Sequence, residues 1–209
     1  MFSKSITELR YRSIPAIFLK TLLVFFLLLD QSYAGDVLSQ ITARLAKSPI
    51  TQGYFHQQKH LKVLHKPIIS TGTFTYDQNK GVIWKTLTPI VSLLLVNESR
   101  LLTGQGEQAV PAAFGKVFKA MLGGDLAALT DGFTVTGSDQ KTSWQLELTP
   151  KDEMLKKIIS TMMLSGDTEL HKLEIREANG NVTDIAFDNI THPATLTDEQ
   201  QSDFERLSP

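Results

Sequence analysis

Metal binding is the first chemistry to test, because His56, His60 and His65 fall close together in the sequence. On a strand His56 and His60 share a face, yet four residues at strand rise separate them by about 13 Å. The chain has no cysteine, and no acidic residue lies among these histidines. They read as polar edge residues rather than ligands, and His171 and His192 stand alone. Nucleotide binding comes next. Gly104-Gln105-Gly106-Glu107-Gln108-Ala109 matches the spacing of a dinucleotide-binding turn. The parallel strand–helix–strand setting that gives those glycines their purpose is missing, and Pro111 removes an amide donor at the following helix start. A flexible loop is the better account. For acyl transfer there is no Gly-x-Ser-x-Gly elbow, and Ser138-Asp139 and Ser165-Gly166-Asp167 are ordinary turn chemistry. No catalytic site, metal or cofactor is expected, and the chain does not read as an enzyme.

What remains is an apolar excess. Phe114, Val117, Phe118 and Met121 recur at i, i+3, i+4, i+7 in a stretch opened by Pro111 and closed by Gly123-Gly124, which predicts an amphipathic helix over 111–122. A later strand, Lys156–Leu164, is apolar on both faces around Ile158-Ile159 and Met162–Leu164. Methionine adapts to irregular or variable neighbours, so these positions suit a pocket for a flexible apolar guest. Burying an acyl chain of about 16 methylenes at roughly 0.8 kcal/mol each is worth more than about 10 kcal/mol. A closed, dry pocket must therefore replace what a membrane offers. The bland alternative is that Met162 and Met163 simply fill two core layers.

The elements that must position these residues are strands. Residues 72–96 contain apolar runs at Gly72–Tyr76, Val82–Trp84 and Ile90–Val96, cut by polar turn residues and Pro89, which reads as consecutive antiparallel strands. Phe74 and Tyr76 share a face with Gly72, so one side of that ribbon is aromatic. Asp36 is expected to cap a helix running to about Lys47. Strands follow at Thr51–Lys59, with Leu61–Leu64 continuing an edge, and Arg100–Thr103 pairs back as a hairpin arm. Beyond the amphipathic helix and a further turn at Leu126–Leu129, strands are expected at Phe133–Gly137, Trp144–Leu148, Lys156–Leu164, Leu170–Glu177 and Val182–Asp188. A tight turn at Asn179-Gly180 joins the last two. A short helix at Asp198–Leu207 is capped by Thr197 with Gln200. About ten strands with two or three helices and no β-α-β alternation predict a mainly β fold, a curved antiparallel sheet wrapped around a helix.

The first 34 residues stand apart. Lys4, Arg10 and Arg12 precede an apolar run to Leu29, and Ser32-Tyr33-Ala34 supplies small residues before Gly35. This is a signal-peptide pattern with cleavage after Ala34 and export to the periplasm. An uncleaved anchor over Ile14–Leu29 is the alternative, interrupted by Pro15 and Lys20. Residues 35–209 then form one domain. The formal charge of the 209 residues is −1, which gives no attraction to phosphate backbones, so nucleic acid is not an expected partner. Without cysteine there are neither disulfides nor an N-terminal lipid attachment point.

Several of these features together resemble the LolA family of periplasmic lipoprotein carriers. They are Phe55-x-Gln57, Gly72-x-Phe74-x-Tyr76, a strand ending in Trp84, Pro89 five residues on, and Leu148–Lys151. The likeness spans nearly all of the chain after residue 34. It implies an incomplete, unclosed β-barrel covered by a helical lid. Phe74, Tyr76, Trp84, Leu93, Leu95, Trp144, Ile158 and Met162 would form the cavity wall, and Phe114, Val117, Phe118 and Met121 the lid. The implied partners are the acyl chains of a lipoprotein or glycolipid cargo, an inner-membrane exporter and an outer-membrane acceptor, served by a monomer. One departure matters: the family's discharge-promoting arginine aligns with Gln78, with Lys80 and Lys85 the nearest cations. The other readings left by the residues are a ligand-free secreted interaction or structural β-module and a secreted lipid hydrolase.

Overall fold

A computed structural model describes residues 33–45, 47–97, 100–104, 106–108 and 112–207, with backbone alone for 33–36, 108 and 112–115. The expected signal segment lies outside the described residues up to position 32, and the cleavage point after Ala34 falls in the first turn of helix α1 (Tyr33–Arg44). Asp36 thus sits inside that turn instead of capping it.

Eleven strands form one sheet: β1 (Ile50–His60), β2 (Ile68–Asp77), β3 (Gly81–Thr88), β4 (Ser92–Val96), β5 (Leu101–Thr103), β6 (Gly106–Gln108), β7 (Phe133–Asp139), β8 (Trp144–Pro150), β9 (Ile159–Gly166), β10 (Leu170–Glu177) and β11 (Val182–Thr191). Their order is β6-β5-β4-β3-β2-β1-β11-β10-β9-β8-β7, antiparallel at every pairing. Only β1–β11 joins strands distant in sequence. The two edges, β6 and β7, are consecutive in the chain, so the segment between them must bridge the open side of the sheet. That segment carries helix α2 (Ala112–Leu122) and a 3₁₀ turn (Leu126–Asp131).

Four local expectations give way. Leu61–Leu64 forms a turn, because β1 and β2 run out of mutual register at Lys59↔Ile68. Gly106–Gln108 pairs with β5 as an edge strand where a loop was expected. Ile90 and Val91 fall outside β4 and are exposed. Lys156 ends a short helix, α3 (Glu153–Lys156), because the Asp152 carboxylate accepts from the Met154 and Leu155 amides and caps it; β9 therefore starts later. The last helix, α4 (Asp198–Glu205), has the expected capping box between Thr197 and Gln200.

The sheet divides the apolar residues in two. One face holds the main core, with Leu38 and Ile41 of α1, Leu45 just past it, and Val117, Phe118 and Met121 of α2 packed into it. The opposite face carries a small cluster in which Phe204 and Leu207 cover Ile83 and Leu95.

Candidate functional site

The inner face is built around Trp84. Its ring stacks on Phe55 at a centroid distance of 4.0 Å and lies 6.4 Å from Phe74. Phe187 meets it edge-on at 6.1 Å, and Phe118 comes down from α2 to meet it edge-on at 5.7 Å. Cross-strand register explains this assembly. In the β1–β2 ladder Phe55 faces Gly72, and Gly53 faces Phe74. Each ring lies over the glycine opposite. A Cβ on Gly72 would sit 2.6 Å from Phe55 Cζ and collide with the Lys85 carbonyl, while one on Gly53 would sit 2.9 Å from Phe74 Cε1. Two Gly-x-Phe units running antiparallel thus lay both rings flat on the sheet, a device that offsets the loss of side-chain packing at a strand glycine. Trp144 repeats it opposite Gly166 and donates its indole N–H to the Asp167 carbonyl at 2.7 Å.

Helix α2 lies on this wall. Val117, Phe118 and Met121 are buried, whereas Lys116 is exposed. Its C-terminal end comes close to Tyr76, since a Cβ on Gly123 would sit 2.6 Å from Tyr76 Cζ and collide with the hydroxyl. Burial, and then the charges of Asp77 and Asp125, raise the Tyr76 pKa above its ordinary value. Between α2 and the sheet a fully apolar cavity of about 20 Å³ remains, lined in part by Phe118, Met121, Phe133, Ile159 and Met162. Ligand pockets span roughly 300–1,000 Å³; this hollow is far smaller, and a second one of about 220 Å³ opens between α2, the 3₁₀ turn and Phe133.

The expected wall is only partly brought together. Phe74, Tyr76, Trp84, Trp144 and Met162 share the inner core with Val117, Phe118 and Met121. Leu93 and Leu95 do not: they pair with Lys85 and Ile83 on the opposite face, under α4, and Leu94 is the residue facing Trp84. Ile158 is 54% exposed ahead of β9. A register shift around Ser160 puts both Ile159 and Met162 inward despite their odd spacing; of the two isoleucines read as apolar on both faces, Ile159 is the one buried. The Phe114 side chain and Pro111 lie outside the described residues. Phe55 and Phe187 were missed, although Gly53-x-Phe55 repeats the Gly72-x-Phe74 pattern and could have signalled the first.

The polar positions are surface features. Gln78 and Lys80 are exposed in the β2–β3 turn, which Asp77 organises by accepting from the Asn79 and Lys80 amides at 2.8 and 3.0 Å. Both nearby lysines engage α4: Lys80 Nζ lies 5.9 Å from the Phe204 ring centroid, and Lys85 Nζ is 2.6 Å from Glu199. His171 and His192 are not isolated; they meet Asp167 at 2.9 Å and Glu169 at 2.7 Å across the β9–β10 turn. Among the described residues no group of three or more His, Cys, Asp or Glu could hold a metal.

The architecture is an open antiparallel sheet whose apolar face is covered by a helix between its two free edges. The family comparison agrees: residues 46–202 match the model of the outer membrane lipoprotein carrier protein LolA, and the chain belongs to that family. Among solved structures it is similar to a LolA superfamily protein from Nitrosomonas europaea, with 12% identity, 79% of this chain and 96% of that one covered, and a TM-score of 0.46. It is also similar to the MucA/MucB complex of Pseudomonas aeruginosa, with 15% identity, coverage of 79% and 59%, and a TM-score of 0.45. A DUF1329 family protein from Desulfovibrio piger gives 9% identity, coverage of 78% and 93%, and a TM-score of 0.44. No curated protein matches the chain significantly.

Proposed function

We propose that this chain is a periplasmic carrier that takes the acyl chains of a lipidated cargo, a lipoprotein or a glycolipid, and moves them between the inner and outer membranes. The observation that carries the reading is the seat of α2: a strongly apolar helix whose Phe118 meets an aromatic wall centred on Trp84, over a cavity of about 20 Å³. Acyl chains enter by displacing α2, and the wall of Phe55, Phe74, Trp84 and Phe187 then lines them. An inner-membrane exporter would load the carrier and an outer-membrane acceptor unload it. Discharge would work without the family's arginine, because Gln78 carries no charge and both nearby lysines engage α4.

The close packing of Phe118 on Trp84 and the small hollow beside it suit a ligand-free module as well, and one experiment separates the two. The purified chain is titrated with a fluorescent long-chain fatty acid, and lipid co-purifying from its native compartment is identified by mass spectrometry. Saturable uptake near one equivalent per chain supports the carrier. An absence of uptake together with an absence of co-purified lipid supports the module.

A further inference from the structure

The exposed apolar residues are segregated. Among the described residues ten large hydrophobic side chains are exposed, and nine of them lie at a single end of the sheet. Antiparallel order puts the β1–β2, β3–β4 and β10–β11 connections and the segment before β9 at that end. The β1–β2 connection and the strand start after it present Val63, Leu64, Ile68 and Ile69. The end of β3 and the β3–β4 turn present Leu87, Ile90 and Val91, the last two 77% and 71% exposed. Met154 and Ile158 stand on α3 and just past it; the Ile158 carbonyl accepts from the Ala178 amide, which ties that segment to the β10–β11 turn. Tyr54, the tenth, is midway along β1.

Lysines accompany these apolar residues. The connections 61–67 and 151–158 carry five lysines (Lys62, Lys66, Lys151, Lys156 and Lys157) against Asp152 and Glu153 alone, in a chain of net charge −1. Lys62 and Lys66 make no ion pair among the described residues, and the 61–67 connection contains no acid. At the opposite end the described connections carry Lys47, Lys80, Arg100 and Lys141 with Asp167 and Glu169, but no exposed large hydrophobic residue stands beside them.

We propose that this end of the sheet docks on an anionic lipid surface, with Val63, Ile90 and Val91 entering the bilayer interface and Lys62 and Lys66 among the headgroups. Apolar tips with flanking lysines are what such a surface selects. Lysine is depleted at protein–protein interfaces, which favours lipid over a protein partner here. The apolar residues also sit on separate connections, and a fluid bilayer accommodates separate tips without a complementary shape. The proposal goes beyond the carrier reading and does not depend on it.

The absence of cysteine makes the test direct. Ile90→Cys, Val63→Cys and, at the opposite end, Asn79→Cys variants of the full chain each carry a polarity-sensitive fluorophore. They are mixed with vesicles of phosphatidylethanolamine and phosphatidylglycerol, or of phosphatidylcholine alone, with spin-labelled acyl chains as quencher. With anionic vesicles the labels at 90 and 63 are expected to shift to the blue and be quenched, while the label at 79 stays unchanged. Because the readout is local, it holds even if another segment brings the chain to the vesicle. Lys62→Glu with Lys66→Glu should weaken binding at least about 25-fold, at about fivefold for each lysine withdrawn from an anionic surface. No shift at 90 and 63, an equal shift at 79, equal binding to phosphatidylcholine, or a shift that grows with protein concentration without lipid would each overturn the proposal. Fatty-acid uptake measured without vesicles reports the carrier reading separately, and Ile90→Asp with Val91→Asp should leave it unchanged.

Discussion

Phe55 and Phe74 lie flat because the residues across from them have no side chain, and that places the most sensitive positions at Gly53 and Gly72. Gly72→Ala drives a methyl into the Lys85 carbonyl and the Phe55 ring, and backbone cannot yield as a flexible side chain can. It should cost at least about 1–3 kcal/mol, the usual range for overpacking, read as a lowered midpoint in chemical denaturation. Gly104→Ala is the control, since nothing lies within 4 Å of its Cβ position. Tyr76 gives a second test. Its folded pKa is raised, by burial first and then by Asp77 and Asp125, so the folded state holds this proton more tightly than the unfolded chain. Its contribution is complete below the ordinary tyrosine value near 10 and is lost as pH rises from there through the folded value. Tyr76→Phe should therefore flatten the alkaline limb of the stability–pH curve. An unchanged limb would show that Tyr76 does not set it.

At the scale of elements, Phe118 is the residue that seats α2 on the aromatic wall. Phe118→Ala should destabilise the chain by roughly 3–5 kcal/mol, as large-to-small core changes do. If α2 must leave for an acyl chain to enter, the same variant should bind a fluorescent fatty acid more tightly, about tenfold for each 1.4 kcal/mol removed from the closed form. Lost stability without a gain in uptake would make Phe118 ordinary core. Much of this element was legible in the sequence: the 3.6-residue period of Val117, Phe118 and Met121, the Gly123-Gly124 stop and the aromatic alternation of β2 each act locally. Leu93, Leu95 and Ile158 were not. The run Leu93–Val96 is apolar on both faces, so its parity is set by pairing with β3 and by α4 covering the far side. The shift around Ser160 depends on how β10 meets β9. Neither constraint is written in the strand itself.

For the whole molecule, the sequence made the open antiparallel sheet legible through its short apolar runs and turn residues. Strand order needed the one long-range pairing, β1 with β11, which no local pattern encodes. That pairing makes β6 and β7 the free edges and hands the intervening helix the task of covering the interior. The central claim is that this cover opens for an acyl guest. Amide hydrogen exchange across Ala112–Leu122, followed by mass spectrometry with and without saturating long-chain fatty acid, tests it most directly. The predicted result is faster exchange in α2 together with slower or unchanged exchange in β1–β3 when fatty acid is bound. Unchanged or slower exchange in α2, with fatty acid bound or with none taken up, would contradict the account.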